Sequence, residues 1–96
     1  MAGGLTRSVR VRIYGRVQGV WFRAWTVREA QARGLDGWVR NRADGSVEAV
    51  FAGAPASVSD MIEACRVGPP AARVTRLDED AETSAVMSGF HQHPDC

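Results

Sequence analysis

Residues 15 to 23 read Gly-Arg-Val-Gln-Gly-Val-Trp-Phe-Arg, and the fold is decided by what flanks them. Before them, Arg7 to Tyr14 alternates, with Val9, Val11 and Ile13 on one side and Arg10, Arg12 and Tyr14 on the other. That spacing predicts a strand with one buried face. After them, Trp21 to Arg33 contains neither Gly nor Pro and predicts a helix that stops at Gly34. Phe22, Thr26 and Ala30 share a stripe, with Val27 beside it. Trp21 and Trp25 share a neighbouring stripe, where they either cover the rim of the loop or widen the buried face, and the core edge is the expectation for both. A strand, a glycine loop and a helix N-terminus, with Arg23 near that start, make an anion cradle. Glycines allow positive φ, so successive N–H groups can turn toward one point. The first N–H groups of a helix also lack intrahelical partners and carry partial positive charge.

Working outward, Leu35 to Arg42 predicts a second strand, with Leu35, Gly37, Val39 and Asn41 on one side. Ala43-Asp44-Gly45 marks a hairpin turn. Ser46 to Ala52 predicts a third strand, with Val47, Ala49 and Phe51 on one face. Ala54-Pro55 opens a second helix, and Val58, Met61, Ile62 and Cys65 form its apolar stripe. Gly68-Pro69-Pro70 stops it. Ala72 to Asp78 predicts a fourth strand, although Val74 and Leu77 are three apart, and a β-bulge would reconcile them. A polar loop follows, then a short strand over Ala85 to Phe90. The order βαββαβ, with two crossover helices and one hairpin, is the α+β, ferredoxin-like split βαβ arrangement. Two helices should cover one face of a four- to five-stranded, mostly antiparallel sheet. Residues 1–6 are expected as a flexible lead-in, 7–90 as one domain and 91–96 as an irregular tail.

Ninety-six residues suit a single domain with one core. Twelve basic and eleven acidic residues give a formal net charge of +1, which argues against a generic polyanion binder. No apolar run is long enough to span a bilayer, and no apolar segment marks a secretory signal, so a cytoplasmic protein is expected. All twelve cations are Arg. Arg suits oxyanions because its planar fork matches them, but a compositional bias toward Arg explains the set as a whole equally simply. Cys65 and Cys96 have no metal-ligand spacing and pair with no His in sequence. His91-x-His93 reads as solvated tail rather than a metal site, and a role for His91, His93 or Cys96 is not indicated.

Two side chains deserve separate reading. Arg23 could swing back over the loop and hold a phosphoryl group with the cradle N–H groups, or it could be one more solvated Arg. Asn41, just before the hairpin turn, could bond its own backbone there. If its amide faces the cradle instead, it has a donor and an acceptor with which to hold a water.

These segments carry a resemblance. GRVQGVWFR at 15–23 and GWVRNRADGSVEAVFAG at 37–53 resemble the two signature segments of the acylphosphatase family. The first matches Gly-x-Val-Gln-Gly-Val-x-Phe/Tyr-Arg. The second matches Gly-aromatic-small-x-Asn-x-x-x-Gly-x-Val and ends in Gly. The likeness runs in order from about Ser8 to about Phe90. It implies hydrolysis of the carboxyl–phosphate bond of acyl phosphates to carboxylate and inorganic phosphate, without metal or other cofactor. By motif match, Arg23 takes the phosphate-binding role, and Arg16, Val17, Gln18, Gly19 and Val20 supply the backbone cradle. Asn41 takes the role of orienting the attacking water. The C-terminus departs from the pattern, since Gly89-Phe90 is followed by His91-Gln92-His93-Pro94-Asp95-Cys96, and Pro94 cannot donate in a ladder. The last strand is therefore expected to be short.

The expected partners are a small acyl phosphate and its product phosphate, with no nucleic acid, no membrane and a monomeric chain. Two other readings keep the same fold. One is a non-catalytic phosphate-binding module, or an accessory domain for carbamoyl-phosphate chemistry. The other is a nucleic-acid-binding domain using Arg10, Arg12 and Tyr14, which lacks the aromatic pattern of RNA-recognition modules and the basic excess.

Overall fold

A computed structural model describes residues 5–95; the expectations for residues 1–4 and for Cys96 lie outside the described residues. The chain order is β1 (Arg7–Arg16), α1 (Phe22–Ala32), β2 (Asp36–Asn41), β3 (Val47–Gly53), α2 (Pro55–Val67), β4 (Arg73–Ala81) and β5 (Phe90–Gln92). The strands form one sheet in the order β4-β1-β3-β2-β5. Every neighbouring pair is antiparallel except β2 with β5. The expected ferredoxin-like α+β arrangement is therefore the observed one.

Both helices lie on one face. Helix α1 packs over β2 and β5, and α2 packs over β1, β4 and β3. Alternation places Val9, Val11 and Ile13 of β1 and Val47, Ala49 and Phe51 of β3 in the core, where they meet Phe22, Ala30, Val58, Met61, Ile62 and Cys65. Each fully buried side chain of the larger kind contributes about 1.5–3 kcal/mol. Gly37 shares this face and shows why a side chain is missing there. A Cβ at Gly37 would sit 1.8 Å from the Val50 carbonyl oxygen and 3.2 Å from the Phe90 ring. The space instead lets Phe51 and Phe90 stack with centroids 5.5 Å apart.

The bulge expected in β4 is present. Tyr14 faces Arg76 and Gly15 faces Val74, which leaves Thr75 as an extra residue on β4. Val74 and Leu77 consequently both pack against the core.

The last strand differs from its expected position. Residues 85–89 do not form a strand, and β5 is Phe90–Gln92. The reason is topological. β4 and β5 lie at opposite edges of the sheet, so residues 82–89 must cross the face that the helices leave open. Glu82, Ser84, Ala85 and Val86 lie there against Arg10, Trp38 and Val50. Beyond β5 the backbone stays tied, since the N–H of His93 donates to the Val39 carbonyl at 2.8 Å and its ring stacks on Trp38 at 5.0 Å.

The open face also carries Glu48, only 1% exposed. A buried carboxylate is costly unless paired. Arg40 and Arg42 each bring a guanidinium nitrogen to 2.9 Å from its Oε1. Burial pushes the Glu48 pKa up, but hydrogen bonds from Arg42 and Arg40 outweigh it and hold the carboxyl below its ordinary range. Cys65 has no such relief, and burial pushes its thiol up to about 12. It is a core residue, as its place on the α2 stripe predicts, and an inert one.

Candidate active site

The loop from Val17 to Trp21 joins β1 to α1, and its side chains alternate between anchoring and opening. Val17 and Val20 are buried in the core and pin the loop from below. Gln18 ties it sideways, since its Nε2 donates to the carbonyls of Arg42 and Ser46, each at 2.8 Å. Gly19 has φ of +73°, the left-handed conformation that glycine adopts without steric cost. Among the described residues, no backbone N–H from Val17 to Ala24 donates to a backbone carbonyl. Such a run of donors at the head of a helix attracts anions.

Of this run, Val17, Gly19, Trp21, Phe22, Arg23 and Ala24 line a cleft of about 400 Å3 together with Asn41 and Gln92, whereas Gln18 and Val20, expected in the cradle, lie outside the lining. Two segments distant in sequence thus meet here, with Arg23 from the first turn of α1 and Asn41 from the end of β2. Arg16 ends β1 opposite Arg73 and lies outside the lining.

The Arg23 side chain is 34% exposed, and its Nη1 lies 2.8 Å from Oδ1 of Asp95. The guanidinium is already presented to an oxyanion, here a carboxylate of the chain's own C-terminal segment. An exposed pair of this kind contributes about 0.2–1 kcal/mol. A dianionic phosphoryl group offers bidentate, charge-assisted bonds, and each hydrogen bond to a charged group is worth about 1.5–3 kcal/mol.

Asn41 stands at the end of β2, on the same side as Val39. Its residue is 8% exposed, yet its amide makes no hydrogen bond among the described residues and borders the cleft. The turn role open to it in sequence belongs to Asp44, which accepts from the Ser46 N–H at 2.9 Å and from its hydroxyl at 2.5 Å. Those two bonds, side chain first, lower the Asp44 pKa. The turn is satisfied without Asn41, which leaves the Asn41 amide available to the cleft.

Among the described residues, the lining contains no Ser, Thr, Cys, His, Asp or Glu. No group of three or more His, Cys, Asp or Glu side chains suited to a metal ion occurs among the described residues. His91 instead places Nε2 3.1 Å from the Ser88 carbonyl oxygen.

Four features were not read from the sequence. The Gln18 side-chain bonds join positions 24 and 28 residues apart, which no local pattern encodes. Gln92 and Asp95 reach the site only because β5 adds to β2 in parallel. Trp21, expected at the core edge, is instead 82% exposed with φ of +66°; the helix begins one residue later and Trp21 is its cap. Trp25 does sit at the core edge, edge-on to Phe22 at 5.3 Å.

Known proteins resemble this chain over most of its length. The sequence profile of the Acylphosphatase family matches residues 9–92. An acylphosphatase of Rhizorhabdus wittichii is 58% identical over 85 residues, covering 88% of this chain and 86% of that protein. One from Rhodospirillum rubrum is 53% identical over 88 residues, covering 92% and 97%. The solved structure of an acylphosphatase from Coxiella burnetii superimposes with a TM-score of 0.90 at 30% identity, covering 97% of this chain and all of that one.

Proposed function

Since the chain belongs to the acylphosphatase family and hydrolyses acyl phosphates, we propose that the 400 Å3 cleft is its active site, with Arg23 and Asn41 as catalytic residues. The observation that carries this reading is a convergence. The unpaired loop N–H groups, the Arg23 guanidinium and the unbonded Asn41 amide all border one cleft.

In this reading the phosphoryl oxygens sit against the N–H groups of the 17–21 loop and the Arg23 guanidinium. Asn41 accepts a hydrogen bond from a water and aims its oxygen at phosphorus. That oxygen bonds to phosphorus as the bond from phosphorus to the acyl oxygen breaks. The electron pair leaves with the carboxylate, and the water's proton passes to a phosphoryl oxygen. The leaving group is a weak base and needs no proton, and the transition state is loose. Positioning and charge stabilisation therefore do most of the work. A cleft lined by one guanidinium, two amides, backbone and apolar groups supplies these, and among the described residues no lining side chain is a general base.

Metal independence and cytoplasmic action as a monomer go with this reading. The accessory-module alternative is not favoured, because relatives this similar over nearly their whole length carry the acylphosphatase name. Release of phosphate from benzoyl phosphate tests the reading, run with and without EDTA. Turnover well above the spontaneous rate, equal in both arms, is expected. Loss of turnover in EDTA would overturn the metal-free mechanism, and no turnover in either arm would overturn the site.

A further inference from the structure

We propose that Trp21 is an acyl-group platform that makes this enzyme select apolar, planar acyl phosphates over small ones, an inference that rests on the active-site reading above. If Arg23 and the loop N–H groups hold the phosphoryl end, the acyl group must lie elsewhere in a cleft large enough for both. Arg23 and Asn41 occupy the polar part of the lining, and Trp21 offers the large exposed apolar surface.

Two features of Trp21 are otherwise unaccounted for. Its φ of +66° makes it the one described non-glycine residue in the left-handed region. That conformation brings Cβ of an L-residue too close to the following carbonyl oxygen, and a bulky aromatic there is an outlier. Its 82% exposure means that core packing does not repay the strain. Neither a ring stack nor a cation contact involves it among the described residues, and the hydroxyl-free indole takes no part in capping α1. Strain that persists without local compensation concentrates at functional sites. An indole offers a large, flat apolar face, and ring stacking against it adds to what burial alone gives. A benzoyl group can use that surface, whereas an acetyl group covers little of it.

The test compares kcat/KM for benzoyl phosphate and acetyl phosphate in the wild type, Trp21→Asn and Trp21→Phe. Asn tolerates the left-handed conformation, so Trp21→Asn should keep or raise the thermal midpoint. Its preference for benzoyl over acetyl phosphate should fall about tenfold, the loss falling mainly on benzoyl phosphate. Trp21→Phe should retain most of the preference. An unchanged ratio in Trp21→Asn, an equal fall on both substrates, or a Trp21→Phe protein as unselective as Trp21→Asn would each overturn the platform. Failure of the wild type on both substrates would instead overturn the active-site reading itself.

Discussion

Arg23 shows what one residue's surroundings add to its identity. In sequence it is one of twelve arginines. In space it borders the cleft beside the loop N–H groups and holds a carboxylate at 2.8 Å. Replacing it with Gln keeps length and some hydrogen bonding but removes the charge and the fork. Arg23→Gln should lower kcat/KM for benzoyl phosphate by about 10²–10³-fold and weaken inhibition by inorganic phosphate. Melting should shift little, because the pair with Asp95 is exposed. An Arg23→Gln enzyme inhibited by phosphate as strongly as the wild type would remove Arg23 from the phosphate site. The motif made Arg23 legible, whereas the Asp95 contact was not, because 72 residues separate the pair. Trp21 was misread for a related reason. Helical periodicity assumes helical φ and ψ, and this residue leaves them.

At the scale of elements, the site is two pieces of backbone held at a fixed separation. The loop 17–21 carries the donors, and the β2–β3 hairpin carries Asn41. The Gln18 amide joins them through the carbonyls of Arg42 and Ser46, the residues that bracket the turn. Two partly buried hydrogen bonds contribute roughly 0.5–1.5 kcal/mol each. Gln18→Ala should therefore destabilise the fold by about 1–3 kcal/mol and lower kcat, because cleft geometry loosens on both sides. Urea denaturation and benzoyl phosphate kinetics on the same protein check this. A fall in stability with full kcat would mean that the tie is structural only. Periodicity located both helices, and α2 matched its stripe at Val58, Met61, Ile62 and Cys65. The bulge was inferable from the failed alternation at Val74 and Leu77. The position of β5 was not, because it follows from a crossing of the sheet by residues with no periodic pattern.

At the scale of the molecule, the two faces of the sheet have separate duties. The helical face builds the core and, at one end, the cleft. The open face is occupied by the 82–89 crossing and by Glu48 with its arginines. Arg10 and Arg12 pair with Glu82 and Asp44 there, so this face does not offer the free basic surface that a nucleic-acid reading would need. The fold was legible because one alternating strand, one hairpin and two amphipathic helices leave few topologies. The separation of duties was not, because it depends on which edge each strand takes. We propose that catalysis comes from water placed by Asn41 against a phosphate held by other groups. The most direct test measures kcat for benzoyl phosphate and the inhibition constant of inorganic phosphate in Asn41→Ala. We expect kcat to fall about 10²-fold or more, with phosphate inhibition within about threefold of the wild type, the two readings separating because Asn41 acts on water and not on phosphate. A near-normal kcat, or a loss of phosphate inhibition as large as the loss of kcat, would contradict it.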